Sequence, residues 1–325
     1  MTKNIRLKYL SICTIVRHEH CEICQRKGVI MERYLYSDMV MESSCLNGIS
    51  FSEKDRKNYS SEKREGVEIC RLNIRTDEDK KRFGVAIGSY TTIYTAPISS
   101  YADDELNVLS QIVADELWRM INASITIGEN GLNILVAGLG NRDVTPDSLG
   151  ARVTDSLNVT RHIKLIDEKA FSQSYQNSIS AISCGVLGKT GIETLELMRG
   201  IVSRVSPDVI IAVDSLAAKE YSRLGAVVQL SDKGIVPGGG IGNKRHALNA
   251  ETLGVPVIAL GIPTVVSAST LICGSLQICG HTKPIKQIEN SLDELKSFFV
   301  TPKDCDALLS SSACLISRSI EYALL

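Results

Sequence analysis

Two apolar runs, each leading to an aspartate, restrict what this chain can fold into. Leu132 to Ala137 is followed by the tight turn Gly138-Leu139-Gly140-Asn141. Thr145-Pro146-Asp147 then reads as a helix start, with threonine as cap and proline at the first helical position. The second run, Val209-Ile210-Ile211-Ala212-Val213, ends on Asp214 and passes directly into Ser215-Leu216-Ala217-Ala218, read as the start of a helix. Short, continuously apolar segments that alternate with helices are strands buried on both faces, the signature of a parallel sheet. In open sheets of this kind ligands bind beyond the carboxyl ends of the strands, which is where both acids fall.

The alternation extends through the middle of the chain. Strands are expected near 132–137, 208–213, 225–230 and 255–260, and helices near 147–156, 191–204, 215–223 and 246–253. This is an α/β fold with a doubly wound, mostly parallel sheet. Upstream, Gly66 to Ile74 and Phe83 to Thr95 read as strands, and Asp103 to Ile121 as a helix with Trp118 in the core. Two C-terminal helices are expected over 288–299 and 302–323. Residues 1 to about 65 read as a loosely held extension, because the polar stretch Ser52 to Arg64 has little to bury.

At 325 residues, 44% of them hydrophobic, the chain can bury a sizeable core. A net charge of -1, with lysines and arginines spread along the sequence, gives no electrostatic case for nucleic acid as a direct partner or for an anionic membrane. No apolar run reaches the length of a membrane span and no signal peptide is legible, so a cytoplasmic protein with reduced thiols is expected despite ten cysteines. His18-Glu19-His20-Cys21-Glu22-Ile23-Cys24 has the spacing of half a zinc site. A closed site needs four ligands and no second C-x-x-C follows, so the stretch reads as solvated N-terminal residues.

Each acid admits two readings. Asp147 in a first helical turn could simply be favoured by the exposed amides there. Asp214, closing an apolar run, could cap the helix expected at Ser215, but an acid there is partly desolvated and needs a partner. If the two face each other, burial and like charge would raise one pKa and leave the pair sharing a proton, which is acid/base machinery for amide hydrolysis by water. The glycine-dense stretch Gly234 to Arg245 lacks phosphate-loop spacing and Gly138-Leu139-Gly140 lacks the third glycine of a dinucleotide fingerprint; neither calls for a cofactor. Close backbone approach to an extended peptide fits Gly240, Gly242, Asn243, Lys244 and Arg245 as well. Cys184 with His162 is a weak nucleophile pair, and His162, His246 and His281 lack metal-pair spacing, so no metal is expected.

Taken in order, the motifs Val136 to Asn141, Val144 to Gly150, Val159 to His162, Ser180 to Ser183, Gly185 to Gly188, Thr190 to Thr194, Ile211 to Ala218, Gln229 to Asp232, Gly240 to Arg245 and Gly261 to Val266 resemble the germination protease family of spore-forming bacteria. The resemblance is dense from about 132 to 266 and resumes at Val300-Thr301-Pro302-Lys303-Asp304. It implies an endopeptidase that starts the degradation of small acid-soluble spore proteins at germination, in the spore core. It also implies a zymogen, a homotetramer, and a fold like that of hydrogenase-maturation proteases. The catalytic pair it implies falls on Asp147 and Asp214, which puts the catalytic reading ahead of the capping one. A metal-dependent protease of the same fold and a catalytically silent spore binding protein are the competing readings. Cys184, Val236 and Ser267 stand where the family usually has proline, often has histidine, and usually has aspartate, and Met31-Glu32-Arg33-Tyr34 looks like a family start.

Family zymogens remove their own N-terminus at a site with an acid, an aliphatic residue, a small one, and a glutamate soon after. Ser37-Asp38-Met39-Val40-Met41-Glu42 has that general form, which places the scissile bond between Asp38 and Met39 and divides the chain into a candidate propeptide, 1–38, and one protease domain, 39–325. Such a segment is expected to be extended and exposed.

Overall fold

The computed structural model describes residues 37–42, 55–128, 131–238, 245–279, 286–295 and 297–325. Strands β1 (Tyr59–Arg64), β2 (Val67–Ile74), β3 (Gly88–Tyr94), β4 (Asn133–Gly138), β5 (Ser178–Ser183), β6 (Val209–Ala218), β7 (Val227–Ser231), β8 (Val257–Ser267) and β9 (Phe299–Val300) form one sheet. Its order is β1-β2-β3-β7-β8-β6-β4-β5, with β9 paired to β8. The run β8-β6-β4-β5 is parallel throughout, whereas β7, β3, β2 and β1 extend it antiparallel. The α/β class holds, and the parallel half is where the two acid-bearing strands lie side by side.

Both faces of that half are covered, because successive residues of its strands feed different cores. Ile134, Val136, Val209, Ile211 and Val213 pack under the helices Asp103–Ser124, Leu149–Ser156 and Cys305–Leu324. Leu135, Ala137, Ile210 and Ala212 face the opposite layer, which includes Leu195 and Met198 of the helix Thr194–Val205. Burial on both sides is why these strands show no polar alternation. Trp118 packs, partly buried, against the first of these cores. Among the described residues no helix is long and apolar enough to cross a membrane. The cysteines at 70, 184, 273, 279, 305 and 314 are free thiols, four of them buried.

Three expectations change. The stretch from Ser215 is not a helix: β6 runs on to Ala218, pairing Asp214↔Gly261 through Ala218↔Val266 with β8, and only Tyr221–Arg223 makes a short 3-10 turn. Two alanines and a leucine favour helix locally, but β8 offers a ladder that continues from Ile210 to Ala218, and tertiary context wins. Phe83 ends a helix, Asp77–Phe83, whose capping box joins Thr76 and Asp79. The polar stretch before Gly66 is not wholly loose, since Tyr59–Arg64 is a sheet edge strand. It needs little burial because its ladder to β2 supplies the pairing, and its charges, with Arg71 reaching Glu62 at 2.8 Å, protect the edge.

Glycine permits the close approach of β4 to the helix after it. A Cβ on Gly150, in the first turn of the helix Leu149–Ser156, would lie 2.4 Å from the backbone N and O of Leu139 and 2.6 Å from the carbonyl of Val213. These are backbone atoms of the acid-bearing strand ends and cannot give way. Gly150→Ala should therefore cost about 1–3 kcal/mol, read as a lower urea midpoint. Gly200→Ala should do the reverse and gain up to about 1 kcal/mol, because Gly200 lies inside a helix with nothing within 4 Å of the added carbon.

Candidate active site

The strand ends bring the two acids to one place. Gly138 of β4 is in register with Val213 of β6, and Leu139 N–H donates to the Val213 carbonyl at 2.8 Å, so the chain leaves β4 beside Asp214. It then turns through Gly140, at φ 91°, into the 3-10 turn Thr145–Asp147. Any side chain at Gly140 would strike the Asp147 carbonyl at 2.1 Å and its carboxylate at 2.9 Å. The Asp147 carboxylate accepts from Asn141 N–H at 2.8 Å, not from amides of its own turn, so it is not acting as a helix cap. From the other side Thr264 of β8 donates to the Pro146 carbonyl at 2.7 Å, and Thr301 donates to the Thr264 carbonyl at 2.9 Å, tying the turn to the sheet.

Asp214 is almost wholly buried, 3% exposed, and its carboxylate accepts from Ser215 N–H at 2.9 Å and from the amide of Gly238. Since β6 continues beyond it, the helix-cap account of Asp214 falls away. Burial raises its pKa well above the usual carboxylate range, and the charges of Asp147 and Asp38 raise it further. Burial also raises Asp147, while the Asn141 amide and the charge of Arg245 pull it back. Burial is the larger cause for both acids, and Asp214, the more deeply buried, is raised the further.

A third carboxylate enters from the N-terminal side. Asp38 N–H donates to the Ala217 carbonyl at 2.9 Å while its carboxylate accepts from Ala217 N–H at 2.8 Å, fastening it to the end of β6. Gln229 of β7 brackets the next residue: its amide donates to the Asp38 carbonyl at 3.0 Å and accepts from Val40 N–H at 2.9 Å. Met39 is fully buried against Leu216, Ala218 and Val227. Residues 40–42 are helical, and Glu42 is 1% exposed. The segment is therefore docked and buried, where the sequence suggested one extended and exposed; its apolar and acidic side chains find matching positions along β6 and β7.

Of the other candidates, Arg245 is half-buried and close enough for its charge to act on Asp147, whereas Gly240, Gly242, Asn243 and Lys244 lie outside the described residues, as do Cys21, Cys24 and Met31. Burial, then the charge of Asp214, pushes the Cys184 thiol up to about 12, and His162 is exposed, so a thiolate nucleophile finds no support. Among the described residues no three His, Cys, Asp or Glu side chains converge to hold a metal ion. The roles of Gln229 and Thr264 are not legible from sequence alone. Gln229 and Thr264 fall within the family-like motifs, but no spacing rule marks them.

A sheet that gathers ionisable groups at the carboxyl ends of its central parallel strands belongs to the open-sheet α/β enzymes. The model of the germination protease family matches residues 37–282. The germination protease of Caldanaerobacter subterraneus subsp. tengcongensis is 39% identical over 312 residues, 89% of this chain and 93% of that protein. That of Clostridium acetobutylicum is 33% identical over 80% of this chain and 85% of its own length, and that of Priestia megaterium 41% identical over 70% and 58%. The chain belongs to the germination protease family, and its activity is that of a peptidase.

The electrostatics carry a cost in stability. A carboxyl whose folded pKa is raised favours the folded state at low pH and loses that contribution as pH climbs from the ordinary carboxylate range through the raised value. Asp214→Asn should therefore raise the melting temperature at pH 7, and the gain should shrink steadily as pH falls toward 4. Thermal melts of both proteins across pH 4–8 measure this, and a constant offset would contradict it.

Proposed function

We propose that this protein is the endopeptidase that begins degradation of small acid-soluble spore proteins at germination, made as a self-processing homotetrameric zymogen in the spore core, with Asp147 and Asp214 as its catalytic pair. The observation that supports the mechanism is the placement of two carboxylates at adjacent strand ends, Asp214 almost wholly buried and Asp147 half-buried. Asp147, the more exposed and more readily ionised, takes a proton from water as the oxygen attacks the scissile carbonyl. Asp214, still protonated, donates a hydrogen bond and then its proton to the carbonyl oxygen. As the tetrahedral intermediate collapses, Asp147 passes its proton to the leaving nitrogen and Asp214 recovers its own from the oxygen. The two side chains end as they began.

The seating of Ser37 to Glu42 supports the zymogen part of the reading. The Asp38–Met39 bond lies on the Asp214 strand, its carbonyl held by Gln229 and its apolar residue fully buried. A bond so enclosed is presented but shielded, so self-cleavage needs a local opening. The substrate class and the tetramer rest on the family relationship.

Asp147→Asn and Asp214→Asn nearly keep shape while removing a titratable group, so each should lower cleavage of an acid-soluble spore protein by at least about 1,000-fold, and the double variant should be no worse than either alone. Chain made with either variant should keep its original N-terminus, whereas N-terminal sequencing of active unaltered enzyme should begin at Met39. Active enzyme that retains residues before Met39 would refute the self-processing claim, and substantial activity in either variant would remove that acid from the pair. The pH profile should show two apparent values that belong to the pair. Preincubation with a strong chelator should leave activity intact, and loss restored by added metal would favour the metal-dependent alternative.

A further inference from the structure

The contacts of Ser37 to Glu42 divide unevenly about the Asp38–Met39 bond. Beyond it Met39 fills the slot at Leu216, Ala218 and Val227, and Val40 N–H donates to the Gln229 side chain at 2.9 Å. One Glu42 oxygen accepts from Lys219 N–H at 2.7 Å and the other from Glu220 N–H at 3.1 Å, with Arg223 Nε 3.3 Å from the latter. That cation is shared, since Arg223 Nε also stands 3.3 Å from the Glu220 carboxylate. Burial raises the Glu42 pKa and Arg223 offsets this only in part, so the enclosed carboxylate is short of positive charge. Ser37 completes the arrangement: Met39 N–H donates to Ser37 Oγ at 2.9 Å, and the Ser37 hydroxyl donates in turn to Glu42 Oε2. Glu42 N–H donates to the Met39 carbonyl at 3.1 Å, and a glutamate three residues on is at the spacing from which its side chain reaches back to a main-chain nitrogen. One hydroxyl separates the Met39 nitrogen from a buried carboxylate.

We propose that cleavage leaves residues 39–42 in place and pairs the new α-ammonium of Met39 with the Glu42 carboxylate, which makes Glu42 the positioning residue of the mature N-terminus. The inference rests on the reading of Asp38–Met39 as the processed bond and goes beyond it. Hydrolysis breaks the C–N bond and adds the water oxygen to the Asp38 carbonyl carbon. It leaves a carboxylate there and an ammonium on Met39, with both protons of the water on the nitrogen. Ser37 departs with Asp38, so the hydroxyl between Met39 and Glu42 is removed by the step that puts a positive charge beside it. Met39, Val40 and Glu42 are held without help from the departing side. What is cleared is the end of the β6 edge, the Ala217 N–H and carbonyl and the Gln229 amide that had held Asp38. A charge-assisted contact that exists only after the cut favours the cut state. The new end is a fixed strap across β6 and β7.

Chain that begins at Met39, carrying Asp214→Asn and released from a fusion by an added site-specific protease, tests the pair without relying on self-cleavage. Carbamylation of the Met39 amine by cyanate at pH 7 follows its unprotonated fraction, and an ordinary α-amino group titrates at about 7.7–8.0. Pairing raises that value, so the reaction should be at least about tenfold slower than in the same chain with Glu42→Gln. Arg223→Gln keeps the carboxylate and should stay slow. Protection lost in both variants, or in neither, would overturn the pair, the first by making docking alone responsible and the second by making Glu42 irrelevant. Acetylating the Met39 amine removes the other charge and should lower the melting temperature, a readout that stands even where Glu42→Gln does not fold; an unchanged melt would overturn the pair. With Glu42→Gln already present, acetylation should lower it no further. Because the cut is supplied, active enzyme found to begin elsewhere would refute self-processing at Asp38–Met39 and leave the pairing of a Met39 end standing. An unprotected amine on enzyme that does begin at Met39 would do the reverse.

Discussion

Two carboxylates at neighbouring strand ends, one buried and one half-open, are the constraint around which the centre of this protein is arranged. Asp214 lies inside the sheet and Asp147 at its rim, so burial raises both carboxyls and Asp214 the further. The fold supplies the difference through position alone. β6 continues past Asp214 into its pairing with β8, which keeps that acid dry, whereas the chain after β4 turns outward at Gly140 and leaves Asp147 half-open.

The parallel half of the sheet was legible because its strands are buried on both faces and therefore read as unbroken apolar runs that end on acids. The continuation of β6 from Ser215 to Ala218 was not, because its residues favour helix and the choice is made by β8, more than forty positions away in sequence. The polar edge strand Tyr59–Arg64 was missed for a related reason: an edge strand facing water shows no hydrophobic period. Periodicity reports burial, and where burial does not distinguish helix from strand, or does not occur, the pattern is silent.

The candidate site was legible to the extent that strand ends locate chemistry. Asp147 and Asp214 follow from that rule, and the family motifs single them out from other acids in strand-end turns. The partners that fasten the acids are a different matter. Asn141, Ser215 and Gly238 act on them through main-chain N–H groups, which every residue but proline carries and no side-chain pattern reveals. Gln229 acts through its side chain but onto backbone, so its identity matters while its partners' identities do not. The docking of Ser37 to Glu42 went against expectation for the same reason, since a chain end before a polar stretch reads as free until its binding surface is known.

Main-chain donors hold Asp147, Asp214 and Glu42, and this sets which positions the protein can let drift. Side chains at Asn141, Ser215, Lys219 and Glu220 are interchangeable as far as these contacts go, because the amide that does the holding survives replacement. Constraint is displaced onto residues that govern the path of the backbone, such as Gly140 and Gly150, where backbone atoms leave no room for a side chain. Sequence divergence within such an architecture should be widest at the donors' own side chains and narrowest at glycines that look featureless, an inversion of the usual pattern in which the groups closest to the chemistry vary least.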